Sequence, residues 1–178
     1  MILHLVRHPP VTKDYQRRCY GQSDPGLSRA GQAMVPRLVH ELASLEPDII
    51  IHSNMKRTRA IAMPLAQKLG IAPINAPLWR ERDFGTWESR SWASIYRETG
   101  NAMDGMMDDP EHFRPGGGET TVDLSKRIKQ ALGALPKIQS VAIITHGGPI
   151  ACIRAERAGA PLDQLATFIP PTGSIVTL

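Results

Sequence analysis

The sequence has no apolar run approaching the ~20 residues that a membrane-spanning helix requires. Its start lacks the order of basic region, apolar core and small-residue cleavage site that marks a secretory signal. It has only two cysteines, Cys19 and Cys152, in unrelated contexts, which argues against a disulfide scaffold and a thiolate zinc site. A cytoplasmic protein with no membrane partner is expected. The one H-x-x-x-H spacing, His4 to His8, falls in an apolar run that reads as strand and not on a helix, where i and i+4 would share a face, so no histidine metal motif and no cofactor is implied. The net charge is +4, yet no basic run with interleaved aromatics appears, so a nucleic-acid partner is not expected either. There is no internal repeat, low-complexity tract or interdomain linker, and nothing in the pattern specifies an oligomeric state.

What is present suits one globular domain over residues 1–178, at 42% hydrophobic and 21% charged residues. Of the 21 basic residues 15 are arginine, whose planar fork matches the oxygens of a small phosphorylated metabolite. Ile2 to Val6 and Asp48 to Ile51 are short apolar runs that read as buried strands, as does Val141 to Ile144, and Gly173 to Leu178 reads as a fourth strand. Ser28 caps an expected helix to about Leu45, with Ala30, Met34, Leu38, Leu42 and Leu45 on one face and a kink or later start at Pro36. A second helix runs to Leu69, where Gly70 stops it, with a kink expected at Pro64. Glu119 to Leu135 and Pro149 to Ala158 are further helices. Between about 71 and 118 only Ser91 to Glu98 reads as helix; this lid-like segment holds all three tryptophans. Strands alternating with helices predict an α/β three-layer sandwich, with a mainly parallel sheet and helices on both faces.

Ligands in such sheets bind beyond the carboxyl ends of the strands. That rule singles out Arg7-His8, His52-Ser53-Asn54 and Thr145-His146-Gly147-Gly148. If His8 and His146 converge near Arg7 and the basic stretch Lys56–Arg59, the site is cationic and holds nitrogen nucleophiles. A neutral imidazole can attack phosphorus, arginine forks stabilise the charge that develops, and a carboxylic acid such as Glu81 can protonate the leaving oxygen. Each residue alone has a plainer explanation. Arg57 would be a solvated helix arginine, Glu81 a surface ion pair, His8 a satisfied loop histidine, and the tryptophans core. Their coincidence at strand ends favours chemistry.

The blocks L-V-R-H-P-P, H-S-N-M-K-R-T-R-A-I-A, E-R-D-F-G-T-W-E, P-G-G-G-E-T and I-T-H-G-G-P-I together resemble the histidine phosphatase, or phosphoglycerate mutase-like, superfamily, across nearly the whole chain. The resemblance implies metal-independent phosphoryl hydrolysis or transfer. It assigns His8 as nucleophile, Arg7 and Arg57 as phosphate-binding arginines, Glu81 as the acid and His146 as the second histidine of the phosphate pocket. It also implies substrate-binding positions at Gly21 and Gly147. The stretch C-Y-G-Q-S-D looks most like the α-ribazole phosphatase branch, making α-ribazole 5′-phosphate a candidate substrate. Pro9, Val11 and Asp14 depart from the family's R-H-G-x-T-x-x-N, and an anionic Asp14 would repel phosphate. A phosphoglycerate mutase-type phosphotransferase and a catalytically silent phospho-ligand binding module are the alternatives. A metallohydrolase built on His8, His52 and His146 conflicts with the adjacent arginines, which would repel a divalent cation.

Overall fold

Side chains on successive strand residues point to opposite faces, and here both faces are apolar because both are covered. In the computed structural model, which describes residues 1–178, the strands are β1 (Ile2–Arg7), β2 (Ile49–His52), β3 (Ile74–Asn75), β4 (Ser140–Thr145) and β5 (Ile175–Thr177). They form one sheet in the order β3-β2-β4-β1-β5, with β1 to β4 parallel and β5 antiparallel to β1. Val6, Ile50, Ala142 and Ile144 face the helices α1 (Arg29–Ala43) and α2 (Lys56–Leu69). Leu3, Leu5, Ile51, Val141 and Ile143 face α5 (Thr121–Gly133) and α6 (Gly147–Arg157) on the other side. The helices α3 (Trp92–Thr99) and α4 (Gly105–Asp108) lie between these two pairs in the chain. The three-layer sandwich expected from the alternation is therefore the observed one. No helix is long and apolar enough to cross a membrane.

Several boundaries differ from the pattern, each for a local reason. Helix α1 starts at once after the Ser28 cap and runs through Pro36, so no later start occurs. Its buried stripe is Gly31, Leu38, Val39 and Leu42, whereas Ala30 and Leu45 are exposed. Gly31 turns inward because it abuts the Pro10 carbonyl, where an added Cβ would come within 2.3 Å of the oxygen, and Leu45 lies beyond the helix end. Helix α6 opens at Gly147, not Pro149. His146 is extended and acts as the N-cap residue, and proline in the first turn loses no hydrogen bond because the leading amides have no partner there. The 71–118 segment adds the two-residue strand β3 and the short helix α4 to the expected Ser91-capped helix. Elements this short carry no readable period. Trp79 joins the main core, Trp87 packs with Cys19 and Ile95, and Trp92 borders a cavity.

Candidate active site

Strand register decides which side chains meet. Arg7 on β1 pairs with Thr145 on β4, so His8 and His146 leave neighbouring strands at the same level. Their rings stand 5.2 Å apart, centre to centre, at 64°. The His8 amide donates to the Thr145 carbonyl (3.2 Å), and the Gly173 amide donates to the carbonyls of Arg7 and His8 (3.0 and 3.2 Å). The residue that ends β1 is thus held on both sides.

The tautomer of His8 follows from its partner. Nδ1 lies 2.8 Å from the Pro9 carbonyl oxygen, which can only accept, so Nδ1 carries the proton. Nε2 keeps its lone pair, on a ring that lines the cavity. Burial, then the Arg57 and Arg7 charges, lowers the His8 pKa to about 3, against a smaller opposing effect of the Pro9 bond. His8 is therefore neutral at physiological pH, with a lone pair on Nε2 of the kind that can act as a nucleophile. Arg7 donates one Nη1 hydrogen to Pro170 O (2.5 Å), while its Nε is buried without a partner and the residue borders the same cavity. An unsatisfied guanidinium N–H at the floor of a cavity is a seat for an anion.

Behind His8 runs a directed hydrogen-bond chain. Arg57 Nε donates to His146 Nδ1 (3.2 Å), so His146 carries its proton on Nε2 and donates to Ser53 Oγ (2.7 Å). Ser53 donates to Thr58 Oγ1 (3.1 Å), and Thr58 donates to the Met55 carbonyl (2.9 Å). Every hydrogen has a receiver. Burial, with Arg57 and His8 next in weight, holds the His146 pKa well below the usual histidine value. Arg57 is completely buried, and its remaining hydrogens go to the carbonyls of Gly21 and Ser23 (both 2.7 Å) and Tyr20 (3.3 Å). Neither Arg57 nor His146 borders the cavity. The structure places them one layer behind Arg7 and His8, where they brace the loop and the nucleophile's surroundings.

Glu81 reaches the cavity from the 71–118 segment. Its Oε1 accepts from the Arg82 amide (2.9 Å), and both carboxylate oxygens accept from the Gly148 amide at 3.2 Å. That position caps the positive end of α6. Oε2 has only the shared Gly148 bond and is the oxygen freer to carry a proton. The absence of a side chain at Gly148 lets the Glu81 carboxylate take this position, since a Cβ there would lie 2.3 Å from Oε1. Gly147 and Gly21 also line the cavity, and Gly21 is pressed so closely on the Arg82 carbonyl that a Cβ would lie 1.9 Å from it. Asp14 is exposed and does not border the cavity.

Sequence reasoning assigned no role to four residues that hold this arrangement. Ser53, in a stretch the strand-end rule did single out, takes the hydrogen of His146 and passes the chain on to Thr58. Glu88 accepts from the amides of Gln22 (2.8 Å), Ser23 (2.9 Å) and Phe84 (3.2 Å), so the 20–24 loop is gripped through its amides by Glu88 and through its carbonyls by Arg57. Arg127, on α5, donates to the carbonyls of Leu78 (2.7 Å), Arg80 (2.8 Å) and Glu81 (3.2 Å), and pairs with Glu119 at 2.6 Å. It thereby fixes the backbone that presents Glu81. Glu88 and Glu119 stand inside the quoted blocks, which was the available signal; an arginine mid-helix such as Arg127 offers none.

A family model described as histidine phosphatase superfamily (branch 1) matches residues 3–178. A probable phosphoglycerate mutase, GpmB, of Erwinia tasmaniensis is 28% identical over 164 residues, covering 90% of this chain and 76% of the relative. The protein of the same name from Proteus mirabilis is 29% identical over 162 residues, 89% of this chain and 75% of the relative. Among solved structures, Bacillus stearothermophilus YhfR superposes with a TM-score of 0.87 at 26% identity, over 99% of this chain and 89% of that one. The α-ribazole phosphatase from Shigella flexneri gives 0.87 at 22% identity, over 99% and 89% of the two chains. A mycobacterial glucosyl-3-phosphoglycerate phosphatase gives 0.85 at 23%, over 99% and 88%. These last two are likenesses of fold.

Proposed function

The chain belongs to the histidine phosphatase superfamily, and from that premise we propose that it is a metal-independent phosphomonoesterase working through a phosphohistidine on His8. One observation carries this reading: His8 is buried, neutral and protonated on Nδ1, with Nε2 left free on a ring that lines the same cavity as Arg7. In the first step Nε2 attacks phosphorus and the ester P–O bond breaks. The departing oxygen takes the proton of the Glu81 carboxyl, and the positive charge on the phosphorylated ring is shared with the Pro9 carbonyl through Nδ1–H. In the second step water attacks the same phosphorus and gives its proton to the Glu81 carboxylate. The P–N bond breaks, inorganic phosphate leaves, and His8 returns to its starting tautomer.

Arg7 is the phosphate-binding arginine in this scheme. Arg57 and His146 act as positioning residues, a different emphasis from the direct phosphate contact that the family resemblance implies. The substrate is a small phosphorylated metabolite, and α-ribazole 5′-phosphate is the candidate suggested by C-Y-G-Q-S-D. The relatives named as probable phosphoglycerate mutases keep a second reading in play, transfer of the phosphoryl group to another hydroxyl.

Rapid quench with radiolabelled phosphomonoester, in the presence of a chelator, should trap an acid-labile, base-stable phosphoenzyme that His8→Ala does not form. Full turnover without such a species would refute the covalent route. Binding without turnover would identify the silent module, and isomerised phosphoglycerate without phosphate release would identify the transferase.

A further inference from the structure

The cavity over His8 has a volume of about 480 Å³, far more than a phosphoryl group fills and within the range that encloses a drug-sized ligand. Its floor is polar, with Arg7, His8 and Glu81, but its walls are not: ten of the 21 residues around it are hydrophobic. The apolar lining comes from Trp92, Met103, Met106 and Met107 and, from a distant part of the chain, Leu165 and Ile169. Met103, Met107 and Ile169 remain 36%, 42% and 42% exposed, so they are not spare core residues. Large apolar side chains left half in water around one cavity mark a place where apolar surface is to be covered.

The polar groups higher in the cavity are committed to the protein. Both terminal nitrogens of Arg82 donate to Thr121 Oγ1 at 3.1 Å, and Arg18 donates to the carbonyls of Asp14 (3.0 Å) and Ser89 (2.9 Å). Gln16 donates to the Val11 carbonyl (2.9 Å), and Asp104, the acidic group among the upper residues, would oppose a second anion. With those donors engaged inside the protein, the polar groups left over, such as the Tyr20 hydroxyl and the Asp104 carboxylate, are few beside the apolar lining.

We infer that the group esterified to phosphate is a bulky apolar body, seated against the apolar lining of Trp92, Met103, Met106, Met107, Leu165 and Ile169 while the phosphoryl group lies on Arg7 and His8. This rests on the phosphomonoesterase reading and specifies its substrate. Thioether side chains adapt to the face of a planar or branched apolar group. The class includes esters with an aromatic ring near the phosphate, and disfavours small polyols and acids.

Two series test this. Binding of n-alkylphosphonates from ethyl to hexyl, followed by calorimetry, needs no catalysis. Hydrolysis of the matching n-alkyl phosphates keeps leaving-group basicity nearly constant while apolar length grows. Each methylene buried should tighten binding and raise kcat/KM by about four-fold, the factor equivalent to ~0.8 kcal/mol per buried CH₂. Glycerol phosphate should fall below propyl phosphate. Met107→Asn, at an exposed position, should flatten the two slopes, so that the hexyl compounds lose far more than the ethyl ones. Hydrolysis with a flat slope, or phosphonates that bind without regard to length or not at all, would overturn the inference. Rising phosphonate affinity with no ester hydrolysed would support the apolar seat while removing the catalytic reading.

Discussion

Replacing His8 by asparagine should make the protein less sensitive to acid. In the folded chain His8 takes up a proton only near pH 3, because burial and then Arg57 oppose the charge. The unfolded chain takes it up near the ordinary value of about 6.5. The native state therefore binds fewer protons over that interval. The stability associated with His8 is fully present above pH 6.5 and is lost as the pH falls from 6.5 toward 3. At about 1.4 kcal/mol per pKa unit, the loss is about 2 kcal/mol by pH 5 and about 5 kcal/mol when complete. Asparagine has the bulk to fill the site and an amide that can still donate to the Pro9 carbonyl, but it does not titrate. Urea denaturation at pH 7 and pH 5 should show the parent losing about 2 kcal/mol more than His8→Asn between the two conditions. His146, also held neutral by burial, destabilises parent and variant in the same direction and remains in both. Equal losses would show that His8 titrates normally in the folded protein. The neutral, low-pKa nucleophile deduced from its surroundings would then be wrong.

Glu81→Gln should slow single-turnover phosphorylation by an alkyl phosphate by about 10²–10⁴-fold, and by p-nitrophenyl phosphate distinctly less, because a phenolate leaves without a proton; equal losses would make Glu81 a phosphate-positioning group. Gly148→Ala should reproduce that leaving-group pattern by displacing the Glu81 carboxylate, while a thermal melt shows stability unchanged or raised, since alanine suits a helix better than glycine. A melt lowered in proportion to the rate would mean that the helix, and not Glu81, had been disturbed. Arg57→Lys should cost at least about 2 kcal/mol and most of the activity, because one ammonium cannot serve His146 and the carbonyls of Gly21 and Ser23 together. Near-parental urea midpoint and kcat would refute the bracing role.

The layers of the fold were legible because both signals are local. Apolar runs ending in Arg7, His52 and Thr145 mark strands, and Ser28, Ser91 and Gly70 mark helix ends. The strand-end rule brought together Arg7, His8 and His146 before any geometry was known. The roles within the site were less legible, since they depend on which atoms face which. Arg57 is indistinguishable in the sequence from a solvated helix arginine, yet it is wholly buried among carbonyls. The apolar cavity lining joins Met103–Met107 to Leu165–Ile169, and only the folding of the chain brings these distant segments to one cavity. Strand β3 was missed because Ile74 and Asn75 are two exposed residues without alternation to read.

The position of β1 in the sheet has a consequence for how the protein is made. This strand precedes in the chain both of its neighbours, β4, residues 140–145, and β5, residues 175–177. The apolar stretch Ile2 to Val6 must therefore wait, unpaired, while most of the chain is synthesised. Its docking is a long-range closure of the slow kind, between strands remote in sequence. Until β4 arrives, His8 has neither the Thr145 carbonyl for its amide nor the ring of His146 beside it. Completion of the sheet and the meeting of His8 with His146 are therefore one event.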